Sequence, residues 1–272
     1  MDRNAPIGVF DSGLGGLTVT RAIRDALPSE SIVYLGDTAR VPYGARSPST
    51  IIRYAQACAA RLATYGIKYL VVACNTVSAV ALDVLRVELD IPVLGVIGPG
   101  ARAGVRACSS GRLGVIATVG TVSSGAYTRA VAAVGTRTEV VARPAPLLVP
   151  LVEEGWLEGE VPRLAVRRYL EPMAESGVGA LVLGCTHFPL LRGVIEAELA
   201  ELSGRTVPVV DSAEATAEEL GTALRERALS TDRAGKGSLE ILVTDQPNRF
   251  ADIASRFLGE DVSGLRVSAI DL

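Results

Sequence analysis

Two similar α/β lobes, each built on a parallel sheet and related by pseudo-two-fold symmetry, are predicted for this chain of 272 residues. Three observations lead there. Short, wholly apolar segments alternate with helical patterns, as in parallel strands covered on both faces. Hydrophobic residues form 49% of the chain, ample for a core. The sequence also repeats itself. Gly8-Val9-Phe10-Asp11-Ser12-Gly13 is echoed by Gly114-Val115-Ile116-Ala117-Thr118, and Leu70-Val71-Val72-Ala73-Cys74-Asn75-Thr76 by Leu181-Val182-Leu183-Gly184-Cys185-Thr186-His187. Both echoes come roughly 110 residues after their originals, the size of a small domain.

Taken in order, strands are expected at residues 7–10, 32–35, 69–73, 93–96, 113–117, 138–141, 180–183, 207–210 and 239–243. Helical patterns fall between them at 17–26, 50–65, 78–88, 122–134, 162–176 and 190–202. Thr76 or Ser78 can cap the helix after Cys74, and Pro189 suits the first turn after Cys185. The segment after about 207 adds further strand–helix units that complete the first lobe. The lobes are therefore expected at 1–97 plus 208–272 and at 98–207. Open α/β sheets place ligands beyond strand C-termini, so functional residues are sought there.

Composition narrows the chemistry. Twenty-seven basic residues against 30 acidic ones, a net charge of −3, leave no basic footprint for nucleic acid or an anionic membrane. The start of the chain lacks a signal-peptide pattern, and no apolar run reaches the roughly 18 residues of a membrane span, so a cytoplasmic location is expected. Lys68 opens a buried strand and Lys236 lies in a polar stretch, which speaks against a Schiff-base lysine for pyridoxal phosphate. One histidine and four cysteines without a CxxC pair argue against a metal site. Without an export signal, disulfides are not expected either. No cofactor and no metal is the expectation.

Cys74 and Cys185 each end an apolar strand and precede a helix, where the helix N-terminus lowers a thiol pKa. Either cysteine alone would read as a small residue closing a strand; the matching placement in both half-units favours function. Cys58 and Cys108 read as packing residues. Paired thiols facing each other across two lobes suit proton transfer at a carbon acid, one acting as base and the other as acid. An ordinary cysteine pKa of roughly 8.5 permits one thiol and one thiolate near neutrality, and the two would titrate jointly.

The loop Asp11-Ser12-Gly13-Leu14-Gly15-Gly16-Leu17 lacks the third glycine of a dinucleotide loop, Thr18 standing there, and has no Walker Gly-Lys. Its backbone amides can meet a small anion, with Asp11 and Ser12 aimed at a ligand, or the loop can serve only as turn and cap. Pro42-Tyr43-Gly44 and residues 118–121 are turn-like. A cysteine-nucleophile hydrolase using His187 is a competing reading, although the phosphatase loop Cys-x5-Arg fails at Val80. A two-lobed binding protein for a dicarboxylic amino acid is another.

The stretch from Gly8 to Val19, Gly36-Asp37-Thr38 with Pro42-Tyr43-Gly44, Ala73-Cys74-Asn75-Thr76-Val77-Ser78-Ala79, and Leu183-Gly184-Cys185-Thr186-His187-Phe188-Pro189-Leu190-Leu191 together resemble the glutamate racemase family. Phe188 departs from the family's usual tyrosine. An aspartate racemase or another two-cysteine epimerase of the same superfamily is the nearest alternative. The resemblance implies a cofactor-independent isomerase interconverting L- and D-glutamate for peptidoglycan and cell shape, with its active site in the cleft between the lobes. It implies that Cys74 deprotonates D-glutamate and Cys185 L-glutamate, assisted by Asp11 and His187 respectively. Glu153 is implied as a further acidic residue, with Glu154 beside it. Ser12, Pro42, Tyr43, Gly44, Asn75, Thr76, Thr118, Thr121 and Thr186 are the implied contacts to the substrate. The expected partner is that small molecule, with a second copy of the chain allowed and no direct nucleic-acid or membrane binding.

Overall fold

The computed structural model describes residues 2–260 and 267–272. In chain order it contains β1 (Ile7–Asp11), α1 (Leu17–Ala26), β2 (Ile32–Gly36), α2 (Pro48–Ala63), β3 (Tyr69–Val72), α3 (Asn75–Val80), α4 (Leu82–Glu88), β4 (Val93–Gly95) and α5 (Ile97–Ala107). Then follow β5 (Arg112–Ala117), α6 (Val119–Ser123), α7 (Ala126–Ala133), β6 (Glu139–Pro144), α8 (Leu148–Glu153), α9 (Glu160–Glu175), β7 (Ala180–Gly184), α10 (Arg192–Ser203) and β8 (Val209–Asp211). The chain closes with α11 (Ser212–Glu226), β9 (Leu239–Val243), α12 (Pro247–Leu258) and β10 (Val267–Ala269).

Two sheets form, with strand orders β10-β9-β2-β1-β3-β4 and β6-β5-β7-β8. Every pairing is parallel. The order β2-β1-β3-β4 recurs as β6-β5-β7-β8, so the repeat seen in the sequence is a repeat of topology. β1, β2 and β3 are buried along their whole length, as the apolar runs require. One core cluster runs from the first sheet into the second lobe, joining Ile7, Val9 and Leu17 to Leu148, Leu181 and Leu191. Separate clusters cover the other faces, around Phe10 and Leu62 in the first lobe and Val115 and Tyr127 in the second.

Three expectations need correcting. Val209–Asp211 was assigned to the first lobe by the boundary at 208, but it pairs with β7 in the second sheet, at the position β4 holds in the first. The return to the first sheet comes only with β9, which joins β2. The single helices expected at 78–88 and 122–134 are each two. The first breaks at Ala81, and the second at Gly125, whose φ of 66° is left-handed and stops a helix. Side chains cap helix starts: the Thr118 hydroxyl accepts from the Thr121 amide at α6, and the Asp211 carboxylate accepts from the Ala213 amide at α11.

Two buried charges, Lys68 and Glu30, sit at the opposite end of the first sheet from the cleft. Lys68 Nζ donates to Glu30 Oε2 and to the Arg3 carbonyl, both at 2.5 Å. Among the described residues, no helix is long and apolar enough to cross a membrane.

Candidate active site

Parallel strands bring their C-terminal ends to one side of a sheet, and here both sheets present that side to the same cleft. Asp11 ends β1 and Cys74 follows β3; Thr118 follows β5 and Cys185 follows β7. β1 and β5 are the paired central strands, β3 and β7 their equivalent neighbours, so the two thiols hold equivalent places. Both are buried, each 6% exposed.

Around Cys74 the first lobe supplies a hydroxyl and a carboxylate. Ser12 Oγ lies 3.3 Å from Cys74 Sγ. Asp11 Oδ2 accepts from the Gly13 amide at 2.8 Å, while Oδ1 is buried without a hydrogen-bond partner among the described residues. Burial raises the Asp11 pKa, opposed by the charge of His187 from the other lobe and by the loop amides. The thiol of Cys74 is pushed up to about 12, first by burial, then by the Asp11 charge, with Cys185 adding to it. A lowered pKa was expected from the helix end. The helix beginning at Asn75 has only six residues, and in the closed cleft desolvation outweighs its amides.

Around Cys185 the arrangement is a line of three groups. Cys185 Sγ is 3.9 Å from His187 Nδ1, and His187 Nε2 is 3.1 Å from Glu153 Oε1. Burial works against charge on the imidazole, but contact with Cys185 and Glu153 outweighs it and raises the pKa to about 10. Glu153 rather than Glu154 carries this contact, because it ends α8 on the side facing His187.

The expected substrate contacts divide into three groups. Thr76 of the first lobe meets Thr118 and Thr121 of the second at 3.0 and 3.4 Å, a hydroxyl cluster across the cleft. Gly44 packs over it, with Thr118 Cβ 3.5 Å from where a Cβ would stand. Thr186 Oγ1 lies 3.4 Å from His187 Nδ1, and Asn75 Nδ2 donates to Tyr127 at 3.0 Å. Tyr43 differs. Its phenol donates to Asp37, which also accepts from Arg40 at 2.6 Å and Thr244 at 2.9 Å, so this side chain is turned into the loop's own support.

Sequence reasoning assigned no role to Asp37, although it stands in the Gly36-Asp37-Thr38 motif; its burial with three partners makes it the anchor of this loop. Tyr127 and Ser212 had no signal, and Thr18, although within the Gly8–Val19 motif, was given no role. Thr18 Oγ1 donates to the Thr186 carbonyl at 2.9 Å across the lobes, and no local pattern announces such a contact. At Gly15 the lobes approach so closely that a Cβ would fall 2.1 Å from Thr186 Oγ1 and 2.6 Å from His187 Nδ1. The glycine is needed for that approach.

The chemistry available is proton transfer. Two thiols on opposite walls, each beside a polar partner of its own, can remove and deliver a proton, while hydroxyls and amides receive carboxylates. Among the described residues, no group of three His, Cys, Asp or Glu side chains is placed to hold a metal ion.

Comparison with known proteins gives the family. The Asp/Glu/Hydantoin racemase family profile matches residues 7–220. A glutamate racemase of Geobacter metallireducens is 50% identical over 253 residues, 93% of this chain and 92% of that protein. The crystal structure of a Bacillus anthracis glutamate racemase isoform superposes with a TM-score of 0.93 at 38% identity, covering 99% of this chain and 98% of that one. A Francisella tularensis glutamate racemase in complex with D-glutamate gives a TM-score of 0.89 at 33% identity, with 99% and 98% covered. With a family match over most of its length and a two-lobed α/β fold shared with solved glutamate racemases, the chain belongs to the Asp/Glu/Hydantoin racemase family of isomerases.

Proposed function

We propose that this protein is a cofactor-independent glutamate racemase working by two-base proton transfer between Cys74 and Cys185. The observation that carries the reading is the pairing itself: two buried thiols on equivalent strands of two repeated lobes, one beside Ser12 and Asp11, the other beside His187 and Glu153. The curated relatives are glutamate racemases, and the Francisella neighbour was crystallised with D-glutamate.

In the direction from L-glutamate, Cys185 as thiolate takes the Cα proton, forming S–H as C–H breaks, and the electron pair passes into the α-carboxylate. The carbanion is planar and lies between the lobes. Cys74 as thiol then donates its proton to the opposite face, giving D-glutamate with Cys74 as thiolate. The reverse direction exchanges the roles. His187, in contact with Cys185 and Glu153, is the polar assistant of Cys185, and Asp11, whose charge holds the proton on the thiol, is that of Cys74. Ser12, Asn75, Thr76, Thr118, Thr121, Thr186 and the backbone from Pro42 to Gly44 hold the carboxylates and ammonium, leaving Cα the freely reacting atom. Several converging hydrogen bonds on each carboxylate oxygen make a site with few cations sufficient. The product serves peptidoglycan synthesis in the cytoplasm.

The line Cys185–His187–Glu153 also has the order of a thiol nucleophile, its base and an orienting acid, which is the hydrolase reading. A hydrolase has no use for Cys74. The test is incubation with L-glutamate, and separately L-aspartate, in deuterated water without added cofactor, following circular dichroism and α-proton exchange. Loss of optical activity with deuterium at Cα is expected for glutamate. Absence of exchange with either glutamate enantiomer in folded protein defeats the reading.

A further inference from the structure

A hydrogen-bonded chain joins the two thiol-bearing strand ends without touching either thiol. Asn75 Nδ2 donates to Tyr127 Oη at 3.0 Å, Tyr127 Oη lies 3.2 Å from Ser212 Oγ, and Ser212 Oγ donates to the Leu183 carbonyl at 3.0 Å. Its direction is determined by chemistry. The carbonyl of Leu183 can only accept, so Ser212 commits its proton there and accepts from Tyr127, which in turn accepts from Asn75. Asn75 directly follows Cys74, and Leu183 stands two residues before Cys185.

The chain is built in. Asn75 and Tyr127 are 3% exposed and Ser212 is 4%. The Tyr127 ring fills the space beside Gly184, where a Cβ would stand 3.0 Å from Cε2. Gly100 leaves room for Ser212 in the same way, a Cβ there falling 2.6 Å from Oγ. A void too narrow for a water molecule lies among Asn75, Cys185, Thr186 and Ser212. With one Nδ2 proton committed to Tyr127, the remaining Nδ2 proton and Oδ1 are the groups Asn75 can offer to a ligand.

We infer that Tyr127 is a positioning residue, resting on the racemase reading above. It sets the rotation of the Asn75 amide for the substrate and ties that amide to the strand carrying Cys185. Phenylalanine in its place keeps the ring but frees the amide to turn over and leaves Ser212 without a donor.

Kinetics of Tyr127→Phe, alone and combined with Asn75→Ala, test this. KM for both enantiomers rises by about tenfold, the scale of one lost hydrogen bond, with a smaller fall in kcat. Ser212→Ala, which breaks the next link and leaves the ring in place, moves KM the same way and substitutes should Tyr127→Phe fail to fold. In the Asn75→Ala background, Tyr127→Phe adds no further rise, because it acts through that amide. Wild-type KM in Tyr127→Phe, even with a lowered melting temperature, overturns the assignment and leaves a packing role. An equal rise with and without Asn75 overturns it too. A wild-type protein that exchanges no α-proton sinks the racemase reading itself, a different outcome from an active enzyme indifferent to Tyr127.

Discussion

His187 stands between Glu153, 3.1 Å from its Nε2, and Cys185, 3.9 Å from its Nδ1. An imidazole held between a carboxylate and a thiol keeps its proton to higher pH than in the unfolded chain, here to about 10 against an ordinary 6.5. Between those values the native state binds the more protons, so stability is full below about pH 6.5 and declines as pH rises through 10. The Cys74 thiol, shifted from 9.0 to about 12, adds to the decline only above 9. Urea unfolding at pH 6.5, 7.5 and 8.5 is expected to show falling stability, and His187→Gln to flatten it. A wild-type stability independent of pH over that range contradicts the contact.

Each thiol is needed in both directions, since one removes and the other delivers the proton. Cys74→Ala and Cys185→Ala are each expected to lower racemisation by at least ~10³-fold, near the upper part of the range for general acid–base catalysis. Optical rotation starting from either enantiomer measures it. Racemisation retained in either single variant contradicts the two-base reading.

Gly15 permits the first lobe to touch Thr186 and His187, a Cβ there falling 2.1 Å from Thr186 Oγ1. Gly15→Ala forces the lobes apart or displaces the imidazole. A stability loss of about 1–3 kcal/mol is expected for such overpacking, with a larger proportional fall in kcat than in the folded fraction. Denaturant titration beside steady-state kinetics separates the two effects.

Lys68 and Glu30 serve as a control far from the cleft. Lys68→Met leaves the Glu30 carboxylate buried without its cation, a change expected to cost about 3–5 kcal/mol. Adding Glu30→Leu should recover much of that loss. Enzyme that remains folded keeps wild-type kcat/KM; a specific drop in kcat would show the pair to be coupled to the site.

Much of the molecule was legible before any coordinates. The apolar runs at 7–10 and 180–183 mark buried parallel strands because both faces are covered, and the observed strands Ile7–Asp11 and Ala180–Gly184 contain them. The repeated ends at Cys74 and Cys185 were visible because each thiol closely follows its apolar strand in sequence, although a helix starts at once only after Cys74, α10 beginning at Arg192. Tyr43 illustrates the limit: its motif marked the loop, but the direction of the phenol depends on Asp37, Arg40 and Thr244, the last brought in by β9.

Local sequence thus determined the alternation of elements, the duplicated half-units and the residue types at each strand end, since propensity, patterning and turn chemistry act over a few positions. Tertiary structure alone decided that β8 joins the second sheet, that burial pushes the Cys74 thiol up against the pull of its helix, and that Asn75 reaches Leu183 through Tyr127 and Ser212. Desolvation and hydrogen bonding depend on what approaches from distant parts of the chain, and that information exists only once the lobes have packed.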